Sequence, residues 1–220
     1  MERYGGKPQV DTQVDRLRAE GTIRGTKTTS RCEPLGSSVL EALRDATRSR
    51  HTKLGASPAM TRLFDATYTI SEYREHLGRL LGLFEPLEHA VADAADPGDP
   101  VRGIQRSIAL LDDLRAMGAT ARDIDSLERY RGFAPIEPAG LYGYTYVILG
   151  SMMGGKIIVK RLRATLGTNA SFRFYGDGNG RPEALWASFC SDLEKNGKNN
   201  VRPICATAVA IFDAYAAWLR

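Results

Sequence analysis

Apolar residues in this chain recur three and four positions apart over long stretches and rarely alternate, which is the spacing of amphipathic helices. Leu40, Leu43, Thr47, His51 and Leu54 fall on one face of a helix predicted over about 39–54. Ser37 or Ser38 serves as its N-cap, and Gly55 followed by Ser57-Pro58 stops it. A short helix is predicted from Pro58 to Phe64. Thr69 and Glu72 have capping-box spacing, and Tyr73, Leu77, Leu80, Leu81, Phe84, Leu87 and Val91 then mark a long helix through Ala95, with a kink expected at Pro86. After the turn cluster DPGDP, the residues Val101, Ile104, Ile108, Leu111, Leu114 and Met117 predict one helix ended by Gly118, and Ile124, Leu127 and Tyr130 a shorter one. The most apolar helix is predicted over 137–166. FRFYGDGNGRP then reads as a loop, and two further helices carry Leu185, Trp186, Phe189 and Leu193, and residues 201–219. The prediction is an all-α fold in a single domain, 37–220. Residues 1–36 are polar, apart from a weak stripe at Val14 to Leu17, and are expected to be a flexible extension.

Composition narrows the class. A chain of 220 residues with 43% hydrophobic content can bury a full core. It has no run of eighteen apolar residues, and MERYGGKPQV lacks the apolar centre of a secretory signal, so a cytoplasmic protein with no membrane partner is expected. Cys32, Cys190 and Cys205 are odd in number and widely spaced, which points away from a disulfide framework or zinc site. The formal net charge of +4 is spread among acids without a basic block, so no nucleic-acid partner is expected.

The first candidate chemistry is His51. Arg44 lies seven residues before it and Arg48 three before it, close to its side of the helix. An imidazole can ligate iron, and arginines pair with carboxylates, so the trio suits a flat, anionic, metal-bearing ligand such as haem with its propionates. The helix alone leaves a second reading open, a hydrogen-bonded core histidine. The second candidate is the glycine-interrupted helix, with Gly140, Gly143, Gly150, Gly154 and Gly155. Each glycine inside a helix costs about 1 kcal/mol relative to alanine, so close approach to the backbone is implied, either by a ligand or by a packed neighbour.

Two stretches together carry a resemblance. LRDATRSRHTKL at 43–54 resembles the proximal-helix motif of haem oxygenases, and YVILGSMMGGK at 146–156 resembles their glycine-rich distal helix. The FRFYGDG loop and the following helix are similar to the bacterial, phytochrome-associated branch, and the resemblance spans about 38–219. It implies a haem-oxygenase-like bundle with haem b between a proximal helix and a kinked distal helix. It further implies oxidation of haem to biliverdin, carbon monoxide and iron, using O2 and electrons from an external reductase or ferredoxin. A bacteriophytochrome is the biliverdin acceptor that such a branch suggests. Carried over, His51 is the iron ligand, Arg44 and Arg48 hold propionates, and Thr47, Tyr146, Gly150, Gly154, Gly155 and Tyr175 line the haem. Gly150, Ser151 and Gly154 are the catalytic candidates.

The chain departs from the animal pattern by Ser151 in place of an aspartate and by Gly55 where a glutamate would meet the ligand histidine. It departs from many bacterial relatives by Leu149 in place of a glutamate. Ser151 and Leu149 keep a non-catalytic haem-binding or haem-sensing protein open as an alternative. A thiaminase-like enzyme, with Cys190 as its nucleophile, is a further one. His76 and His89 are expected to be surface or hydrogen-bonded residues, and Tyr146 and Tyr175 core or pocket-lining aromatics in preference to redox groups.

Overall fold

Eight α-helices follow one another among the described residues, which are 38–176 and 182–220 of a computed structural model. They are α1 (Val39–Gly55), α2 (Pro58–Thr61), α3 (Ile70–Ala94), α4 (Arg106–Ala116), α5 (Ala121–Asp125), α6 (Leu141–Leu166), α7 (Pro182–Asn196) and α8 (Val201–Trp218). No strand occurs among the described residues. The extension expected at 1–36, with its stripe at 14–17, lies outside them.

Local sequence sets most helix starts. Ser38 and Glu41 close a capping box on α1, Thr69 and Glu72 on α3, and Thr120 and Asp123 on α5. The α1 start has a second anchor: the Glu194 carboxylate of α7 accepts from the backbone N–H groups of Val39 at 3.2 Å and Leu40 at 2.9 Å. A carboxylate there satisfies otherwise orphaned donors and opposes the positive end of the helix dipole.

The centre of the core is α3, on which Tyr73, Leu77, Leu80, Leu81 and Leu83 are fully enclosed. Pro86 sits inside α3, and the helix runs continuously through it. Proline has no N–H for the carbonyl four residues earlier, at Gly82. That carbonyl accepts instead from the Tyr130 N–H at 2.8 Å.

Two predicted helices differ from those observed. The element expected over 101–117 is a 3-10 turn, Pro100–Gly103, followed by α4. The break has a cause: the Glu88 carboxylate takes the backbone N–H groups of Arg106 and Ser107 and so fixes a new helix start there. The element expected around Ile124, Leu127 and Tyr130 ends at Asp125, and 127–137 is irregular chain. Leu127 packs on Gly78 and the Tyr130 amide bonds α3, so the apolar spacing there reflects docking on another helix.

Candidate functional site

Helix α1 buries Leu43 and Thr47, and α8 is its main neighbour. An ion pair between Arg50 and Asp213, 2.7 Å apart, ties the two helices together. His51 does not continue into the core as the stripe predicts. It is exposed, with its ring meeting Phe212 of α8 edge-on at a centroid distance of 6.0 Å. Arg44 and Arg48 are also exposed, and Arg48 pairs with Asp45. The imidazole thus lies at the surface against an aromatic ring, with cations one and two turns before it on the same helix.

Thr47 donates its hydroxyl proton to the Leu43 carbonyl at 2.7 Å, and its Oγ1 lies 3.3 Å from the Tyr146 hydroxyl of α6. This contact joins the predicted proximal and distal helices. His51 is one turn after Thr47 on α1, and Gly150 is one turn after Tyr146 on α6.

The glycines of α6 fall into two groups. A Cβ on Gly150 or Gly154 would meet no atom within 4 Å, so that face of the helix is open. A Cβ on Gly155 would lie 2.7 Å from the Tyr175 carbonyl oxygen, and one on Gly143 would press against the Ile204 carbonyl. The packed-neighbour reading of the glycine spacing therefore holds at some positions and not at others. Gly143 and Gly155 permit close packing, whereas Gly150 and Gly154 keep a surface clear. Gly155, expected beside haem, faces the 172–176 turn.

Ser151 is exposed, and its hydroxyl donates to the Ile148 carbonyl at 2.7 Å. Its proton is committed to the helix, and its lone pairs stay available as acceptors. Tyr146 is half-buried, 5.8 Å from the Trp186 ring of α7. Tyr175 is enclosed, and its hydroxyl is 2.6 Å from Nε2 of His76, which is enclosed as well. His89 is exposed. Burial lowers the His76 pKa from its ordinary 6.5 to about 4, helped by the charge of Arg79, so the ring is neutral at pH 7.

Sequence spacing did not reveal Phe212, Trp186 or Glu194, because each acts across helices that are far apart in the chain. Trp186, Cys190 and Glu194 are four residues apart along α7, which signals a shared helix face but not what it faces. Another such residue is Asp113. It is fully buried and accepts from the Ser171 hydroxyl at 2.6 Å and from the amides of Arg173 at 2.8 Å and Phe174 at 2.9 Å. It thus fixes the turn that carries Tyr175 behind α6.

Other chemistries find little support. Among the described residues, no group of three or more His, Cys, Asp or Glu side chains could hold a bare metal ion. Burial pushes the half-buried Cys190 thiol up, the wrong direction for a nucleophilic thiolate, although Arg44 opposes it. No helix of the described residues is long and apolar enough to cross a membrane.

Residues 37–220 match the family model described as Heme oxygenase. The chain belongs to the haem oxygenase family. Solved haem oxygenases share its fold. The enzyme from Leptospira interrogans superposes with a TM-score of 0.64 at 19% identity, over 83% of this chain and 98% of its own. Heme oxygenase-1 from the cyanobacterium Synechocystis sp. PCC6803, solved in complex with heme, gives 0.65 at 15% identity, over 83% and 91%. No curated protein matches in sequence. Within the haem oxygenase fold, the residues present suit the prosthetic group: an accessible imidazole, two arginines on the same helix, and a glycine face that any Cβ would begin to fill.

Proposed function

We propose that the chain is a catalytically active haem oxygenase that cleaves haem b to biliverdin, carbon monoxide and ferrous iron, with O2 and electrons from an external reductase or ferredoxin. The observation that carries the reading is the open α6 face at Gly150 and Gly154 in the same fold as an exposed His51. A core histidine and packing glycines account for neither.

The division of labour follows from the side chains. His51 binds iron through its imidazole, and the Phe212 edge limits how that ring turns. Arg44 and Arg48 hold the propionates; Arg48 exchanges its exposed pairing with Asp45, which costs little in water. Thr47 and Tyr146 join α1 to α6 beside the proposed site. Haem, when bound, supplies the oxygen chemistry and is itself the molecule opened. Gly150 and Gly154 leave room for the gas beside the helix backbone. Ser151, its proton turned to Ile148, orders water as an acceptor. Gly155 and Tyr175 close the wall behind that helix. The same reading places the protein in the cytoplasm and makes a bacteriophytochrome a fitting recipient of biliverdin.

The test is a haem titration of the purified chain, followed by an electron donor in air with catalase present. Loss of the Soret band with biliverdin appearing supports the reading, and a stable ferrous or oxy complex favours a carrier. His51→Ala abolishes the histidine-type spectrum and turnover. Retention of both in that variant sinks the assignment of His51.

A further inference from the structure

We propose that Tyr175 and His76 form a proton-coupled redox site, in which the buried phenol yields one electron to an oxidant formed at the proposed haem site while its proton passes to the neighbouring imidazole. The sequence reading treats Tyr175 as a lining aromatic, and the structure adds the base that a redox tyrosine requires. A phenol is hard to oxidise unless its proton leaves with the electron. Here the acceptor is already in place, with the hydroxyl 2.6 Å from Nε2 and the two ring planes 14° from parallel. Both residues are enclosed, at 5% and 7% exposure, so solvent does not quench what forms there.

The pair also adjoins residues of the proposed haem site. The Tyr175 backbone lies directly behind Gly155, next to the open Gly154. In the other direction, enclosed rings follow from Tyr175 to Phe174 at 4.9 Å, to Phe84 at 5.4 Å and to Tyr215 at 5.9 Å. Phe212, which meets the His51 ring, is three residues before Tyr215 on α8.

The step balances as follows. The Tyr175 O–H bond breaks, the proton joins His76 Nε2, and one electron reduces the oxidant, leaving a tyrosyl radical and an imidazolium. The oxidant is a peroxide-oxidised haem centre, so its identity, though not the redox competence of the pair, rests on the function proposed above. Arg79 acts on the His76 charge and Arg106 lies over the Phe174 ring at 4.5 Å. Burial and the Arg79 charge disfavour the imidazolium, so the proton returns to the phenol once the radical is reduced, and the site relays an oxidising equivalent.

The experiment mixes the haem-loaded full chain with hydrogen peroxide, freezes it within milliseconds and records electron paramagnetic resonance, with ring-deuterated tyrosine to identify the radical. A tyrosyl signal in the wild type, its loss in Tyr175→Phe and its loss or marked weakening in His76→Leu are expected. An unchanged signal in Tyr175→Phe, or none in a fully loaded wild type, overturns the proposal. Thermal unfolding of each variant checks folding, and His76→Gln, which keeps a hydrogen-bonding side chain, replaces His76→Leu if that variant does not fold. If the chain binds no haem, the haem reading fails by itself. A flash-generated ruthenium(III) tris-bipyridine oxidant on the haem-free chain then tests the pair, with the Tyr175-dependent part of the tyrosyl absorbance as readout; its absence overturns the proposal.

Discussion

The Gly82 carbonyl accepts a hydrogen bond from the Tyr130 amide at 2.8 Å, across from a proline that could not have supplied one. Pro86 and Gly82 together make a docking notch in α3. Proline frees the carbonyl, and glycine lets the incoming chain reach it, since a Cβ there would press on the Glu128 carbonyl and lie 3.0 Å from Trp218. Gly82→Ala is expected to lower stability by about 1–3 kcal/mol, the usual cost of overpacking. It should also make the 127–137 segment cut faster by trypsin at Arg131. Unchanged unfolding and cleavage rates would show that the notch does not hold the segment.

Gly150 and Gly155 should respond with opposite signs to the same change. Gly150→Ala meets nothing, so the helix gains about 0.5–1 kcal/mol from the better helix former. Gly155→Ala drives a methyl group against the Tyr175 carbonyl and costs about 1–3 kcal/mol. Denaturant titration of the two haem-free variants checks the pair. A bulkier side chain at Gly150 is expected to hinder oxygen binding to the loaded protein, read by flash photolysis of the ferrous form.

His76 predicts acid sensitivity. Its native pKa of about 4 lies below the ordinary 6.5, so between these values the unfolded chain binds the proton and the native state does not. Stability therefore falls as pH drops from about 6.5 towards 4, by up to about 3 kcal/mol from this residue, and gains nothing from it above that window. His76→Gln should flatten the slope there. Equal slopes for wild type and variant, by urea unfolding at several pH values, would count against the neutral buried ring.

Asp113→Ala should be among the most damaging single changes in the chain. It removes the acceptor of the Ser171 hydroxyl and of the Arg173 and Phe174 amides, the last of them buried, at a cost of about 3 kcal/mol. Faster hydrogen exchange at the Phe174 amide is the local sign of a loosened turn. Haem affinity should fall with it, because that turn backs Gly155.

Much of this molecule was legible before any coordinates. The capping residues Ser38 and Thr69 and the long 3.6-residue periodicities act within a few residues of each other, so spacing alone places those helices. Where a distant group intervenes, spacing misleads. Glu88 starts a helix eighteen residues later in the chain than itself, and Tyr130 is held by a backbone bond to α3 and not by a helix of its own.

Residue order was enough to establish an all-α chain and to pick out a histidine with two arginines beside it and a glycine helix opposite, because helix formation and helix faces are local properties. It could not say which glycines are filled and which are open, since Gly150 and Gly155 look alike until Tyr175 is placed behind only one of them. Nor could it pair His76 with Tyr175, ninety-nine residues apart, or bring Phe212 to the ring of His51. Those relations come from helices packing side by side, and packing is decided by shape complementarity across the whole core and not by neighbours along the chain.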